Sequence, residues 1–301
     1  MFSIIIPTLN NIDYLKICLE SLKKNSKYKN EIITHVNIGN DGTLEFLKAN
    51  NIKYTFTKYN AGICRGMNLA SRIAKNNYIL YAHDDFYFCP NWDEILFKEV
   101  SLIGHNNFYL SGTMMNNGQI NFNCGNTSED FDEKKFIDNY KDHNFYDFQG
   151  STWAPHLIHK DIWNKVGGFS EEFYPGTGSD PDLNMKLWNL GVRIFKGINH
   201  FKVYHFGSKV TRKYKDHQEI ITETGSRGGK IFLIKWGFSI KFFRKYYLKS
   251  DTIYNGELKE PIKSIDYYFN LLINKINYFY IKYIYNFNNK HKLINYETYK
   301  N

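Results

Sequence analysis

An α/β fold around a mostly parallel central sheet is what this sequence predicts, and three patterns carry that expectation. Apolar runs at 2–7, 31–36, 53–57 and 78–82 have the length and composition of buried strands. Segments with apolar residues at helical spacing, such as Leu15, Cys18, Leu19 and Leu22, lie between them. Alternation of this kind makes consecutive strands parallel, because each helix must cross back over the sheet. The 301 residues, 43% of them hydrophobic, suffice for one large α/β core with or without a smaller appendage.

The first hundred residues accommodate four β-α units. Phe2-Ser-Ile-Ile-Ile-Pro7 reads as the first strand, and Leu15 to Leu22 as its helix. Asp41-Gly42-Thr43 supplies a turn and a cap before a helix over 44–49, and Asn60-Ala-Gly62 does the same before a helix over 64–74. Trp92 to Val100 suggests a fourth helix. From 105 to 160 the pattern loosens into Asn-rich and acidic loops with short aromatic strands, before a helix from Lys160 to Val166 that ends at Gly167-Gly168. Ser179-Asp-Pro-Asp182 opens a helix that stops at Gly191, with Asp180 as a candidate N-cap before Pro181. A pair of strands, 192–195 and 201–205, is expected next.

Charge is unevenly placed. Residues 206–301 hold 18 Lys/Arg against 8 Asp/Glu, whereas 1–205 hold 21 against 22, so the basic character belongs to the tail. That tail interleaves aromatic and basic residues, as in Lys241-Phe-Phe-Arg-Lys-Tyr-Tyr247, and reads as a helical extension. A solvated helical appendage, contact with an anionic membrane surface, and single-stranded nucleic acid all suit such a composition, although no nucleic-acid motif is present and no nucleic-acid partner is expected. Cys18, Cys64, Cys89 and Cys124 lack metal-ligand spacing and read as reduced thiols. The chain begins without a signal-peptide pattern and has no apolar run of spanning length, so a cytoplasmic protein is expected, with the cytosolic face of a membrane as a variant of that reading.

The most informative stretch is Asn77-Tyr-Ile-Leu-Tyr-Ala-His-Asp-Asp85, where an apolar strand ends in two adjacent carboxylates, Asp84 and Asp85. The carboxyl ends of strands in an open α/β sheet form the ligand crevice, and two acids there suit a divalent cation. Capping of the helix at 92–100 is the competing reading.

Taken in order, five segments resemble the family 2-like glycosyltransferases of the GT-A fold, which use nucleotide-sugar donors. The resemblance covers residues 2–213. Ile4-Ile-Ile-Pro-Thr-Leu-Asn10 is similar to the family's first strand and the loop under the donor's base and ribose, which implies donor contacts at Pro7, Thr8 and Asn10. The second strand, Glu31 to Asn37, departs from the family by carrying Val36 and Asn37 where one or two Asp are usual, and Asn37 is left to bond the base through its amide. Asp41 reads as a turn residue. Asn60-Ala-Gly-Ile-Cys-Arg-Gly-Met-Asn68 resembles the turn into the helix beside the nucleotide, with Arg65 either facing the diphosphate or solvated.

His83-Asp-Asp85 occupies the place of the family's Asp-x-Asp motif, with His83 in the slot of the first acid. The resemblance implies Asp85 as a metal ligand, Asp84 at the ribose or a metal-bound water, His205 as a further ligand, and Mn²⁺ or Mg²⁺ as cofactor. Lys209, Arg212 and Lys213 are implied at the diphosphate. Gly176-Thr-Gly-Ser-Asp-Pro-Asp-Leu183 looks like the family's acceptor-side segment, with Ser179 in place of the usual Glu. Asp180 aligns there with the general base of an inverting transfer, while Asp182 more simply orients neighbours. The segment 150–156 and Trp163 offer aromatic faces suited to sugar rings or to a core.

The implied organisation is a GT-A domain at 1–225, divided into a nucleotide-sugar half (1–104) and an acceptor half (105–225), with a basic aromatic extension at 226–301. The implied partners are a nucleotide-diphosphate sugar and a saccharide or lipid-linked acceptor, as in polysaccharide biosynthesis, with peripheral membrane contact through 230–301. A binding protein that has lost activity is the alternative that Val36, Asn37 and His83 keep open. A nucleotidyltransferase is a more distant one, since Pro7-Thr-Leu-Asn10 lacks the Gly-rich basic loop that chemistry needs.

Overall fold

A computed structural model describes residues 1–207 and 227–284. Its centre is a nine-stranded mixed sheet in the order β3-β2-β1-β4-β8-β6-β9-β5, with β7 paired to β9. The first four strands are β1 (Phe2–Leu9), β2 (Glu31–Asn37), β3 (Lys53–Thr57) and β4 (Tyr78–Tyr81), all parallel, as the alternation predicts. β1 is central and almost wholly buried because its Ser-Ile-Ile-Ile core has layers on both faces, whereas β3, at the edge, is nowhere buried.

The helices follow the sequence expectation closely. α1 (Ile12–Lys24) buries Leu15, Cys18, Leu19 and Leu22, the stripe read from their spacing. Asp41 is indeed a turn residue: one carboxylate oxygen accepts from the Ile12 amide at 3.0 Å and the other from the Thr43 hydroxyl at 2.7 Å, tying the starts of α1 and α2 (Thr43–Ala49) together. α3 (Gly62–Ser71) starts at a glycine with φ +75°, where a Cβ would stand 2.7 Å from the Tyr174 ring. α4 (Trp92–Ile103) ends at Gly104 in the left-handed conformation. Neither Asp84 nor Asp85 caps α4, whose N-cap position is Asn91, so the capping reading of the acidic pair is excluded.

Beyond α4 the sheet becomes mixed. β6 (Phe108–Met115) lies between β8 (His156–His159), which is antiparallel to it, and β9, which is parallel. The two strands expected at 192–195 and 201–205 are one strand, β9 (Ile194–His205). Both halves pair with β6, and a register shift after Ile198 absorbs 199–201 as a bulge, so the polar Asn199-His200 interrupts the pairing without ending the strand. β7 (Phe148–Gln149) borders its first half. β5 (Phe86–Phe88), which sequence reasoning does not reveal, borders its second half with Phe86 opposite His205. This pairing fixes the site, because the chain leaves β4, turns through Asp84 and Asp85, and immediately re-enters the sheet beside His205.

α5 (Glu133–Asn139) and α6 (Lys160–Lys165) lead to α7 (Ser179–Asn189). The start of α7 corrects the expected cap: Gly178, at φ +87°, holds the N-cap position, and Asp180 lies one residue inside the first turn. The helical segment 227–236 packs against this corner, where a Cβ on Gly228 would meet the Thr177 carbonyl oxygen at 2.1 Å. Ile231, Phe232, Phe238, Phe242, Phe243 and Leu248 then join the same hydrophobic core as the sheet. α8 (Ile240–Phe243) and α9 (Ile265–Phe279) follow, each continued by a π-helical turn, Arg244–Leu248 and Tyr280–Ile284. All four cysteines are buried, free thiols. No helix among the described residues is long and apolar enough to cross a membrane.

Candidate active site

Three side chains able to ligate a metal ion meet where β4, β5 and β9 converge. One donor atom each from His83, Asp85 and His205 lies within 4.8 Å of the others. His205 Nε2 is 3.5 Å from Asp85 Oδ2, and His83 Nδ1 is 4.0 Å from Asp85 Oδ1. His205 Nδ1 stands 3.3 Å from the Asn117 carbonyl, which can only accept, so Nδ1 carries a proton and Nε2 is the ring nitrogen turned to the carboxylate. Burial lowers His83 to about 4, leaving its imidazole neutral and able to donate a lone pair. Phe86 stacks on His83 at 4.8 Å and meets His205 edge-on at 5.1 Å, which holds both rings in place.

Asp84, 7% exposed, turns away from this trio and accepts from the Thr8 hydroxyl at 2.6 Å. Burial raises it to about 7, and the neighbouring charge of Asp85 adds to the shift. The end of β1 thus supports the acidic turn directly.

Asp180, in the first turn of α7, lies near this group. Its Oδ1 lies 3.8 Å from Nδ1 of His156 and has no hydrogen-bond partner among the described residues. Loss of water raises its carboxyl to about 7, while its side chain stays 26% exposed and within reach of a ligand. A row of rings spans the distance to the trio: His156 and Tyr81 centroids are 5.0 Å apart, Tyr81 and His83 5.4 Å, and His83 and His205 6.0 Å. Burial, then Asp180, and more weakly Asp84, raise the Tyr81 phenol, so that ring feels both acids.

Residues 3–157 match the family model for glycosyl transferase family 2, just over half of the chain. The chain belongs to glycosyl transferase family 2. Its fold is similar to that of S. aureus TarS, at a TM-score of 0.56 and 14% identity over 93% of this chain and 43% of that one. This chain thus spans less than half of TarS. A shorter TarS structure in complex with UDP matches with a TM-score of 0.52 and 17% identity, and one in complex with UDP-GlcNAc with 0.50 and 17%, each over 81% of this chain and 74% of the other. No curated protein matches.

Pro7 and Thr8 lie in the last part of β1, and Asn10, at φ +45°, accepts from the Asn40 amide at 3.1 Å. Asn37, at the end of β2, spends its amide on the fold: Oδ1 accepts from the Ala61 amide at 2.8 Å, and Nδ2 donates to the Thr8 carbonyl at 3.3 Å. Arg65 of α3 pairs with Glu171 at 3.7 Å. Trp163 is core, 3% exposed and donating to Ser71 at 3.1 Å. Trp153 stacks on Phe148 at 5.4 Å. Asp182, fully buried, accepts from Ser170 at 2.6 Å, Trp236 at 2.8 Å and Lys235 at 2.9 Å, the orienting role read from its place in the helix. Lys209, Arg212 and Lys213 lie outside the described residues.

Two residues escape sequence reasoning as site members. In sequence His83 is a departure from an acidic pattern, yet its ring turns into the cluster. His156 is there only the end of an aromatic segment. It is 1% exposed, bonded through Nδ1 to the Tyr109 hydroxyl at 2.9 Å and held near 3 by burial, so it sets a neutral ring beside Asp180. No spacing rule in the sequence links it to Asp180; β8 and α7 bring them together.

Proposed function

We propose that the protein is an inverting glycosyltransferase that moves a sugar from a nucleoside-diphosphate-sugar to a hydroxyl of a saccharide or lipid-linked acceptor, with a divalent cation at His83, Asp85 and His205. The meeting of His83, Asp85 and His205 within 4.8 Å of one another, with Asp180 joined to them through the His156 and Tyr81 rings, carries this reading. Two imidazoles and a carboxylate fit a divalent transition ion better than Mg²⁺, which prefers oxygen, so Mn²⁺ is the expected cofactor. When bound, the ion would offset the charge that gathers on the departing diphosphate.

The chain's own residues do the rest. Asp180 takes the proton of the acceptor hydroxyl as its oxygen attacks the anomeric carbon from the face opposite the nucleotide. A carboxylate with a pKa near 7 suits that work, since it is ionised at neutral pH yet basic enough to bind the proton. His156, neutral and pinned by Tyr109, keeps a cation from pairing with Asp180 and lowering its basicity. Asp84, fixed by Thr8, serves the ribose side, and the stretch Pro7 to Asn10 forms the floor for the base, while Asn37, whose amide is held by Ala61 and Thr8, braces that floor from below. In this reading 1–104 serves the donor and 105–225 the acceptor, while the first part of 226–301 braces the start of α7 through Asp182.

UDP-sugars are the first donors to test, because the fold relative TarS is solved with UDP and with UDP-GlcNAc. A binding protein without activity is the second reading, favoured by His83 standing where the family's first acid is usual. Release of nucleoside diphosphate in the presence of Mn²⁺ separates the two. Release that stops in Asp180→Asn and Asp85→Ala supports the transferase, whereas release unchanged in both variants removes these residues from the mechanism.

A further inference from the structure

The outer face of α9 and the turn that follows it is apolar and open to solvent. Ile265 is 90% exposed, Phe269 63%, Leu272 56%, Ile276 61%, Phe279 56% and Tyr283 58%. These residues recur at intervals of four and three, so they form one stripe, and Tyr268, Ile273, Tyr280 and Ile284, all at least 41% exposed, widen it. Only Tyr267 and Asn274 of α9 are buried: Tyr267 packs on Phe242 at 5.1 Å, and Asn274 accepts from the Ser239 amide at 2.7 Å. The inner face therefore anchors the helix and the outer face is left over. A contiguous apolar surface of this kind marks a docking site.

We propose that this face lies in the headgroup region of an anionic lipid bilayer, with the helix in the plane of the interface. Charge identifies the occupant. Lys275 and Lys282 border the stripe and Lys263 precedes it, while the one acid of the helix, Asp266, is already neutralised by Lys245 at 2.8 Å. Lys282 lies over the Tyr278 and Tyr283 rings at 5.1 and 5.4 Å, a pairing of cation and aromatic that suits the boundary between headgroup and acyl chain. A second copy of the chain fits less well. The stripe is wider than a two-helix seam, and the lysines beside it would meet lysines or tyrosines rather than acids. The residues beyond 284 add Lys290, Lys292 and Lys300 against Glu297 alone, which extends the positive balance. Membrane contact through this face does not depend on the transfer reaction.

The test is sedimentation of the full chain with vesicles of phosphatidylcholine alone and of phosphatidylcholine mixed with phosphatidylglycerol. Binding is expected only with the anionic vesicles. The variant Phe269→Ser/Leu272→Ser/Ile276→Ser should lose about a hundredfold or more in vesicle affinity, because three large apolar side chains no longer enter the interface. Lys275→Glu and Lys282→Glu should each weaken binding by about fivefold or more. All these side chains are outside the core, so melting temperature and nucleotide release should match the unaltered chain. Equal sedimentation of the serine variant and the unaltered chain overturns the proposal. So does a failure of the unaltered chain to bind anionic vesicles, including the case where it forms a dimer that the serine variant abolishes, which would assign the face to a second copy.

Discussion

Replacing Asp180 by Asn should damage activity and improve stability at once, and the second effect depends on pH. The carboxyl group is raised from 3.8 to about 7, chiefly by burial. An acid raised in the folded state leaves stability untouched below its unfolded pKa and costs more as pH climbs, until the folded pKa is passed. From 3.8 to about 7, the charged form costs the folded chain roughly 4 kcal/mol, and at about pH 5 little more than ~1.5 kcal/mol of that is in force. The Asp180→Asn variant has no charge to bury at this position, so without added metal its urea midpoint should rise above that of the unaltered protein much more at about pH 8 than at about pH 5. Sugar transfer should meanwhile fall by about 10²- to 10⁴-fold, since an amide cannot take the acceptor's proton. A stability difference that is the same at both pH values would refute the desolvated carboxylate. Unchanged transfer would refute its role as base.

Other substitutions probe the neighbouring residues. His83→Asp should restore an all-carboxylate turn and raise activity with Mg²⁺ relative to Mn²⁺; an unchanged metal preference in paired assays would show that His83 is not a ligand. His156→Gln should move the pH at which transfer rises without abolishing transfer, since the ring beside Asp180 governs its surroundings rather than the reaction; a profile identical to that of the unaltered enzyme would dismiss the link. Asp182→Ala should cost about 3 kcal/mol in urea unfolding, because Lys235, Trp236 and Ser170 all lose their shared acceptor. Gly228→Ala should cost about 1–3 kcal/mol, as its Cβ meets the Thr177 carbonyl oxygen at 2.1 Å; a neutral result would mean that the segment 227–236 does not press on the start of α7.

The parallel half of the fold was legible because each strand and helix there follows from local periodicity. Leu15, Cys18, Leu19 and Leu22 declare their buried face without help from the rest of the chain. The acidic turn was legible for a related reason: charge at the end of a buried strand is rare without a use. What escaped depends on pairings between distant segments. Three-residue β5 carries no period of its own and exists because β9 offers an edge opposite Phe86. β9 reads as two strands because Asn199 and His200 interrupt its pattern, although β6 pairs with both halves. His83 and His156 look in sequence like a mismatch and the end of an aromatic segment. They become site members only when β5 returns to the sheet and α7 turns its first residues towards β8.

The central claim is that Asp85, with His83 and His205, holds a cation that binds together with a nucleoside diphosphate. Calorimetric titration of UDP into the protein with and without Mn²⁺, repeated with Asp85→Ala, tests it most directly. The account expects Mn²⁺ to tighten UDP binding severalfold or more in the unaltered chain, by about 1 kcal/mol at least, and to have no such effect in the variant. Equal affinity for UDP with and without the ion in the unaltered chain would contradict it.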